Sequence, residues 1–127
     1  MISIILLILG GIFNSVMDVI YFKWDKSIFK NIKNVNLYNW CNPTYSWKNK
    51  WKDRDPSKGE KFPGSSTIFV FITDLWHFAK FLMLWCISLA IVFYTPITPY
   101  LILDIIILHV SFTFIFELFL SKIWIKK

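Results

Sequence analysis

Cysteine and histidine are scarce in this chain, with two of each in 127 residues. Cys41 and Cys86 stand far apart, no C-x-x-C pair occurs, and Cys86 falls inside an apolar run. The pattern argues against a disulfide framework and against a zinc site built on cysteines. The H-E-x-x-H, G-x-S-x-G and phosphate-loop patterns are missing too, so no local signature of a metalloprotease, serine hydrolase or nucleotide hydrolase is present. No basic residue precedes the first apolar run, and no small-x-small cleavage pattern follows it. That run therefore reads as a retained anchor and not as a signal peptide.

What is abundant is apolar surface. Hydrophobic residues make up 56% of the chain and aromatic residues 20%. A soluble domain of this length leaves too much of its surface exposed to hide that much apolar material. The apolar residues gather in three blocks, residues 1–22, 67–94 and 99–121, while 10 of the 14 basic residues lie in residues 23–66. This segregation points to an integral membrane protein and away from a disordered chain or a basic nucleic-acid-binding domain.

The first block would be about 33 Å long as a helix, matching the hydrocarbon core. The second would reach about 42 Å, so it either tilts or begins at the interface. Pro63-Gly64-Ser65-Ser66 offers a break and a serine N-cap before it. Thr95-Pro96-Ile97-Thr98-Pro99 is a tight turn whose prolines stop one helix and start the next. Charge gives the orientation. The 23–66 connection is basic, the 95–99 turn is uncharged, and the 122–127 tail carries Lys122, Lys126 and Lys127. The positive-inside rule puts connection and tail in the cytoplasm and the N-terminus outside, as in a bacterial inner-membrane protein.

Within the connection, residues 27–36 show a helical period. Ile28, Phe29, Ile32 and Val35 share one face, Lys26, Lys30 and Lys33 the other, with Ser27 as the N-cap. Such a helix either lies flat among headgroups or covers the end of the bundle. Trp40, Trp47 and Trp51 then alternate with Lys48, Lys50, Lys52 and Arg54. Stacking on single-stranded nucleic acid is one use of that composition. Beside a bilayer it serves as an interfacial anchor, so lipid headgroups are the expected partners of Lys26, Lys30, Lys33, Lys48, Lys50 and Lys52, and no nucleic acid is expected. The expected fold is an all-α membrane protein with three transmembrane helices and a basic amphipathic interfacial helix in the cytoplasmic connection.

The passages Ser46-Trp47-Lys48-Asn49-Lys50-Trp51, Phe62-Pro63-Gly64-Ser65-Ser66-Thr67 and Thr73-Asp74-Leu75-Trp76-His77 resemble a family of small bacterial and phage integral membrane proteins with no assigned activity. The resemblance spans residues 14–81. It implies a membrane class and supplies no mechanism.

An ionisable side chain in a span costs about 2.5–3.5 kcal/mol at mid-membrane, so each one requires a reason. Gly10, Gly11, Asn14, Ser15 and Asp18 form one sector of the first helix, small enough to admit a neighbouring helix. The second carries Asp74, His77 and Lys80, and of these Asp74 and His77 share a face with Phe81, Trp85 and Ser88. His109, Thr113 and Glu117 recur on the third, while Asp104 points elsewhere near the outer end. Asp18, Asp74, His77 and Glu117 all fall in the cytoplasmic leaflet and, with Asn14, are expected to converge in a polar cluster. The four ionisable groups suit a divalent metal such as zinc, manganese, iron or magnesium. Three functions follow as expectations. The first is a membrane assembly or interaction component with a membrane protein partner or a second copy of itself. The second is a metal-assisted enzyme acting on a lipid or other membrane-associated substrate. The third is an oligomeric pore of the holin type.

Overall fold

The computed structural model describes residues 1–126, and Lys127 of the basic tail lies outside them. Among the described residues the chain is helical, with two isolated β-bridges and no strand. The long helices are α1 (Ile2–Phe22), α4 (Leu75–Val92) and α5 (Leu101–Leu118), the last continued by a π-helical turn, Phe119–Ile123. The short helices α2 (Val35–Cys41) and α3 (Pro43–Ser46) lie in the connection. Among the described residues, three helices are long and apolar enough to cross a membrane: Ile2–Phe22, Leu75–Val92 and Leu101–Ile123.

α1 is the centre of the bundle. It packs on both α4 and α5, which meet each other chiefly through it. Val16, Met17, Val19 and Ile20 of α1 and Ala79 of α4 form the buried core, with Phe13, Trp24, Trp76, Met83 and Trp124 packed around it. The glycine sector expected on the first helix is present, and its occupants come from the same chain. A Cβ on Gly11 would lie 2.6 Å from the Phe112 carbonyl oxygen of α5. One on Gly10 would meet the Phe112 ring at 3.4 Å and Cys86 of α4 at 3.6 Å. Outward surfaces are left to the solvent side: 17% of the apolar window of the second long helix is buried, and 6% of that of the third.

The second long apolar helix begins later than the apolar pattern predicts. Residues 67–73 form turns, ending in the 3-10 turn Val70–Ile72, and the helix starts at Leu75 with Asp74 as its N-cap in place of Ser66. The cause is competition for backbone groups. Trp40 Nε1 donates to the Ile72 carbonyl at 3.2 Å, and Asn49 Nδ2 donates to the Thr73 carbonyl at 3.1 Å. In a helix begun at Thr67 those carbonyls would accept amides four residues ahead. The connection takes them instead.

The amphipathic helix expected over residues 27–36 is likewise replaced. The chain makes the 3-10 turns Trp24–Lys26 and Ile28–Asn31, and α2 then starts at Val35 behind an Asn34 N-cap. Ser27 caps nothing with its side chain and pairs with Ile125 in an antiparallel bridge. The Ile28 amide donates to Trp124 at 2.8 Å, and the Lys126 amide donates to Lys26 at 2.8 Å. Pairing with the tail withdraws this backbone from a helix. Phe29 still packs on Trp124, with ring centres 5.4 Å apart, whereas Val35 is exposed.

Farther on, the Lys61 amide donates to the Lys50 carbonyl and the Lys52 amide to the Gly59 carbonyl, around a Trp51–Glu60 bridge. Glu60 closes the next turn. The Ser66 hydroxyl donates to it, as do the Gly64 amide at 2.9 Å and the Ser66 amide at 3.0 Å. These donors, the Ser66 hydroxyl foremost, hold the Glu60 carboxyl below the usual glutamate range. At the other end of the bundle, Asp104 is buried and organises the turn between α4 and α5. It accepts from Tyr94 Oη at 2.7 Å and from the Ile97 amide, Thr98 amide and Thr98 Oγ1, each at 2.8 Å. That local duty accounts for a carboxylate at this position.

Two outcomes are expected. Gly11→Ala should destabilise the bundle by about 1–3 kcal/mol, because backbone must move to admit the methyl, while Gly10→Ala should be tolerated; unfolding in mixed detergent micelles measures both. Glu60 has a lowered folded pKa, so its contribution is complete above the usual value of about 4.3 and is lost as pH falls through the depressed one. Hydrogen-exchange protection of the Gly64 and Ser66 amides should therefore drop on acidification. Glu60→Gln should remove that pH dependence.

Candidate functional site

The site is built where α1 ends and α4 begins. Thr73-Asp74 precedes the apolar run of α4, and Asp is a favoured N-cap because its carboxylate accepts from the exposed amides of the first turn. Asp74 Oδ1 accepts the His77 amide at 2.9 Å. The helical i,i+3 spacing then returns the His77 side chain to its own cap. Nδ1 of His77 lies 2.7 Å from Asp74 Oδ2, and Thr73 Oγ1 reaches the same oxygen at 3.4 Å. Asp74 is 2% exposed, whereas the His77 side chain keeps 29% of its surface accessible. The pair thus has a sealed carboxylate and an imidazole facing outward from it.

His77 opens on a pocket of about 230 Å³. Ile20 and Tyr21 of α1, Pro43 and Trp47 of the connection, and Trp76 of α4 form its apolar lining, with Ser46 beside them. Ser46 is buried. α3 owes its position to Asn42, whose side chain accepts the Thr44 amide at 2.9 Å, and to Pro43 in its first turn. Pro suits that turn because its missing N–H has no helical partner there. The Trp40 and Asn49 bonds to Ile72 and Thr73 tie this same connection to the base of α4. Sequence reasoning found Asp74 and His77 and missed Pro43, Ser46 and Trp47, which approach through a path of loop no local pattern specifies.

The remaining members of the expected cluster are placed apart from this pair. Asp18 lies on α1 and Glu117 on α5. Asn14 is half-buried on α1 and Glu117 is exposed. Among the described residues, no group of three or more His, Cys, Asp or Glu side chains could hold a metal ion. The four-residue metal set Asp18, Asp74, His77 and Glu117 is therefore not assembled. Asp74 is consumed as the cap of α4 and holds His77, and neither Asp18 nor Glu117 joins that pair in a group able to hold a metal ion. His109 is exposed on α5.

The nearby cations and thiol have local partners. Lys30 pairs with Asp25 at 2.6 Å. Lys48 lies 5.3 Å from the ring centre of Trp47 and Lys50 lies 5.7 Å from that of Trp51, whereas Lys26, Lys33 and Lys52 are exposed. Burial pushes the Cys41 thiol up to about 11, so it carries almost no thiolate near neutral pH and is a poor nucleophile.

An Asp–His pair of this form can fix a ring tautomer and aim the second nitrogen at a bound molecule. Asp74→Ala should cost about 1–2 kcal/mol through the lost cap and free the His77 ring, while Asp74→Asn should preserve most of the stability. Detergent-solution unfolding checks the first effect and the imidazole signals in nuclear magnetic resonance the second. Compared with protein families, curated proteins and solved structures, the chain matches none.

Proposed function

We propose that this chain is a three-span inner-membrane protein with its N-terminus outside and its C-terminus in the cytoplasm, acting as an assembly or interaction component of the membrane. The observation that carries the reading is the grouping of charge by bundle end. The basic connection and the basic tail are joined by the Ile28–Trp124 and Lys126–Lys26 backbone hydrogen bonds and by Lys126 Nζ to Asn31 at 2.7 Å. At the opposite end, Ser3 Oγ of α1 donates to the Phe93 carbonyl at 3.0 Å, beside the uncharged turn. Lysines at one end and none at the other suit a bilayer with an anionic inner face.

The interaction role rests on what the helices leave outside. With the Gly10 and Gly11 sector filled by α4 and α5, a partner would meet the outer face of α5, where Ile102, Ile105, Ile106, Val110 and Phe114 are exposed. The exposed Lys26, Lys33 and Lys52 are the cations best placed to meet headgroups, since Lys30, Lys48 and Lys50 are partly engaged within the chain.

A phosphatase reporter fused at the C-terminus should be inactive, and a fluorescent reporter there should mature in the cytoplasm. Recovery of the chain in the soluble fraction, or an active C-terminal phosphatase, overturns the topology. Crosslinkers placed at Ile106 or Val110 should trap a membrane protein reproducibly. Trapping lipid alone overturns the interaction role.

A further inference from the structure

The Asp74–His77 pocket has a chemistry that the bundle does not require. Capping α4 uses Asp74 Oδ1 on the His77 amide, so the second contact, Nδ1 to Oδ2 at 2.7 Å, is additional to the cap. A carboxylate has no proton to give, so the ring supplies it at Nδ1. In the neutral imidazole Nε2 is then a fixed acceptor. Among the described residues the ring's one hydrogen bond is through Nδ1. The walls around it are the apolar and aromatic faces of Ile20, Tyr21, Trp47 and Trp76. An acceptor set in apolar walls favours a ligand that is mostly hydrocarbon and brings one proton to donate.

Size and position narrow the ligand further. The volume of about 230 Å³ is below the range of about 300–1,000 Å³ that encloses drug-sized molecules. It accommodates a head group and the top of one chain. The pocket lies where α1 ends and α4 starts, at Tyr21 and Trp76, and rings of this type mark the level of lipid headgroups. The rest of a chain can stay in the bilayer. A carboxylate head brings no proton for an Nε2 acceptor and meets the charge of Asp74 beside the ring, while the Lys48 and Lys80 ammonium groups stand over the other walls, 5.3 Å from the Trp47 ring centre and 5.1 Å from that of Trp76.

We propose that the pocket between α1, α3 and the start of α4 binds single-chain lipids that carry a free hydroxyl, of the monoacylglycerol class, with that hydroxyl donating to Nε2 of His77. The site rests on the membrane reading above. The test uses the full chain in phosphatidylcholine nanodiscs, supplied with 1-monooleoylglycerol, methyl oleate or oleate, and native mass spectrometry reads the lipid retained. The native chain should retain monooleoylglycerol about tenfold better than methyl oleate, the size of one hydrogen bond in an apolar site. Oleate should be retained least, and His77→Phe should level the two neutral lipids. Equal retention of alcohol and ester by the native chain overturns the site whatever the variant does. A preference for oleate, or an alcohol preference that survives in a folded His77→Phe chain, overturns it as well. A chain that enters the discs and shows no preference defeats the pocket alone, whereas a chain that stays out of the discs defeats the membrane reading and the lipid site together.

Discussion

The architecture turns on how closely α5 can lie against α1. At Gly11 the two backbones are so near that a Cβ would stand 2.6 Å from the Phe112 carbonyl oxygen. Small residues let helices approach this closely, and van der Waals packing at such positions supplies attraction between them. Because α4 and α5 meet chiefly through α1, that approach also sets how the third helix joins the second. It brings Trp124 near enough to donate through Nε1 to Ser15 Oγ at 2.8 Å. The tail, once held there, reaches the segment after α1 and pairs with it.

From this follows an unequal division of polar duties between the two ends of the bundle. At the uncharged end one carboxylate, Asp104, satisfies a whole turn. At the basic end the work is spread over Asn34, Asn42, Asn49 and Asp74, each accepting or donating to backbone that would otherwise lack a partner. Buried polar groups paired in this way are ordinary structural elements. The imidazole of His77 stands out because it lines a pocket while, among the described residues, its second nitrogen has no hydrogen-bond partner.

The metal reading and the pocket reading differ in what they ask of geometry. A metal requires several ligands around one point, and helical phase alone cannot provide that. Asp18 lies on α1, whereas Asp74 is folded into the cap of α4. A lipid-binding pocket requires only one oriented acceptor and apolar walls, and both are present.

The three long helices were legible in the amino-acid sequence because runs of about twenty mostly apolar residues have few other physical solutions. The charge segregation and the turn at Pro96 and Pro99 were legible for similar reasons, since composition and proline geometry act locally. Tertiary contacts decided the rest. Residues 27–36 carry a true helical period, but pairing with Trp124 and Lys126 takes their amide and carbonyl groups first. Residues 67–73 are apolar enough to extend α4, but Trp40 and Asn49 claim the carbonyls of Ile72 and Thr73. In both places a hydrogen bond from distant chain outbids a local preference worth only tenths of a kcal/mol per residue, and no periodicity records which distant group will arrive.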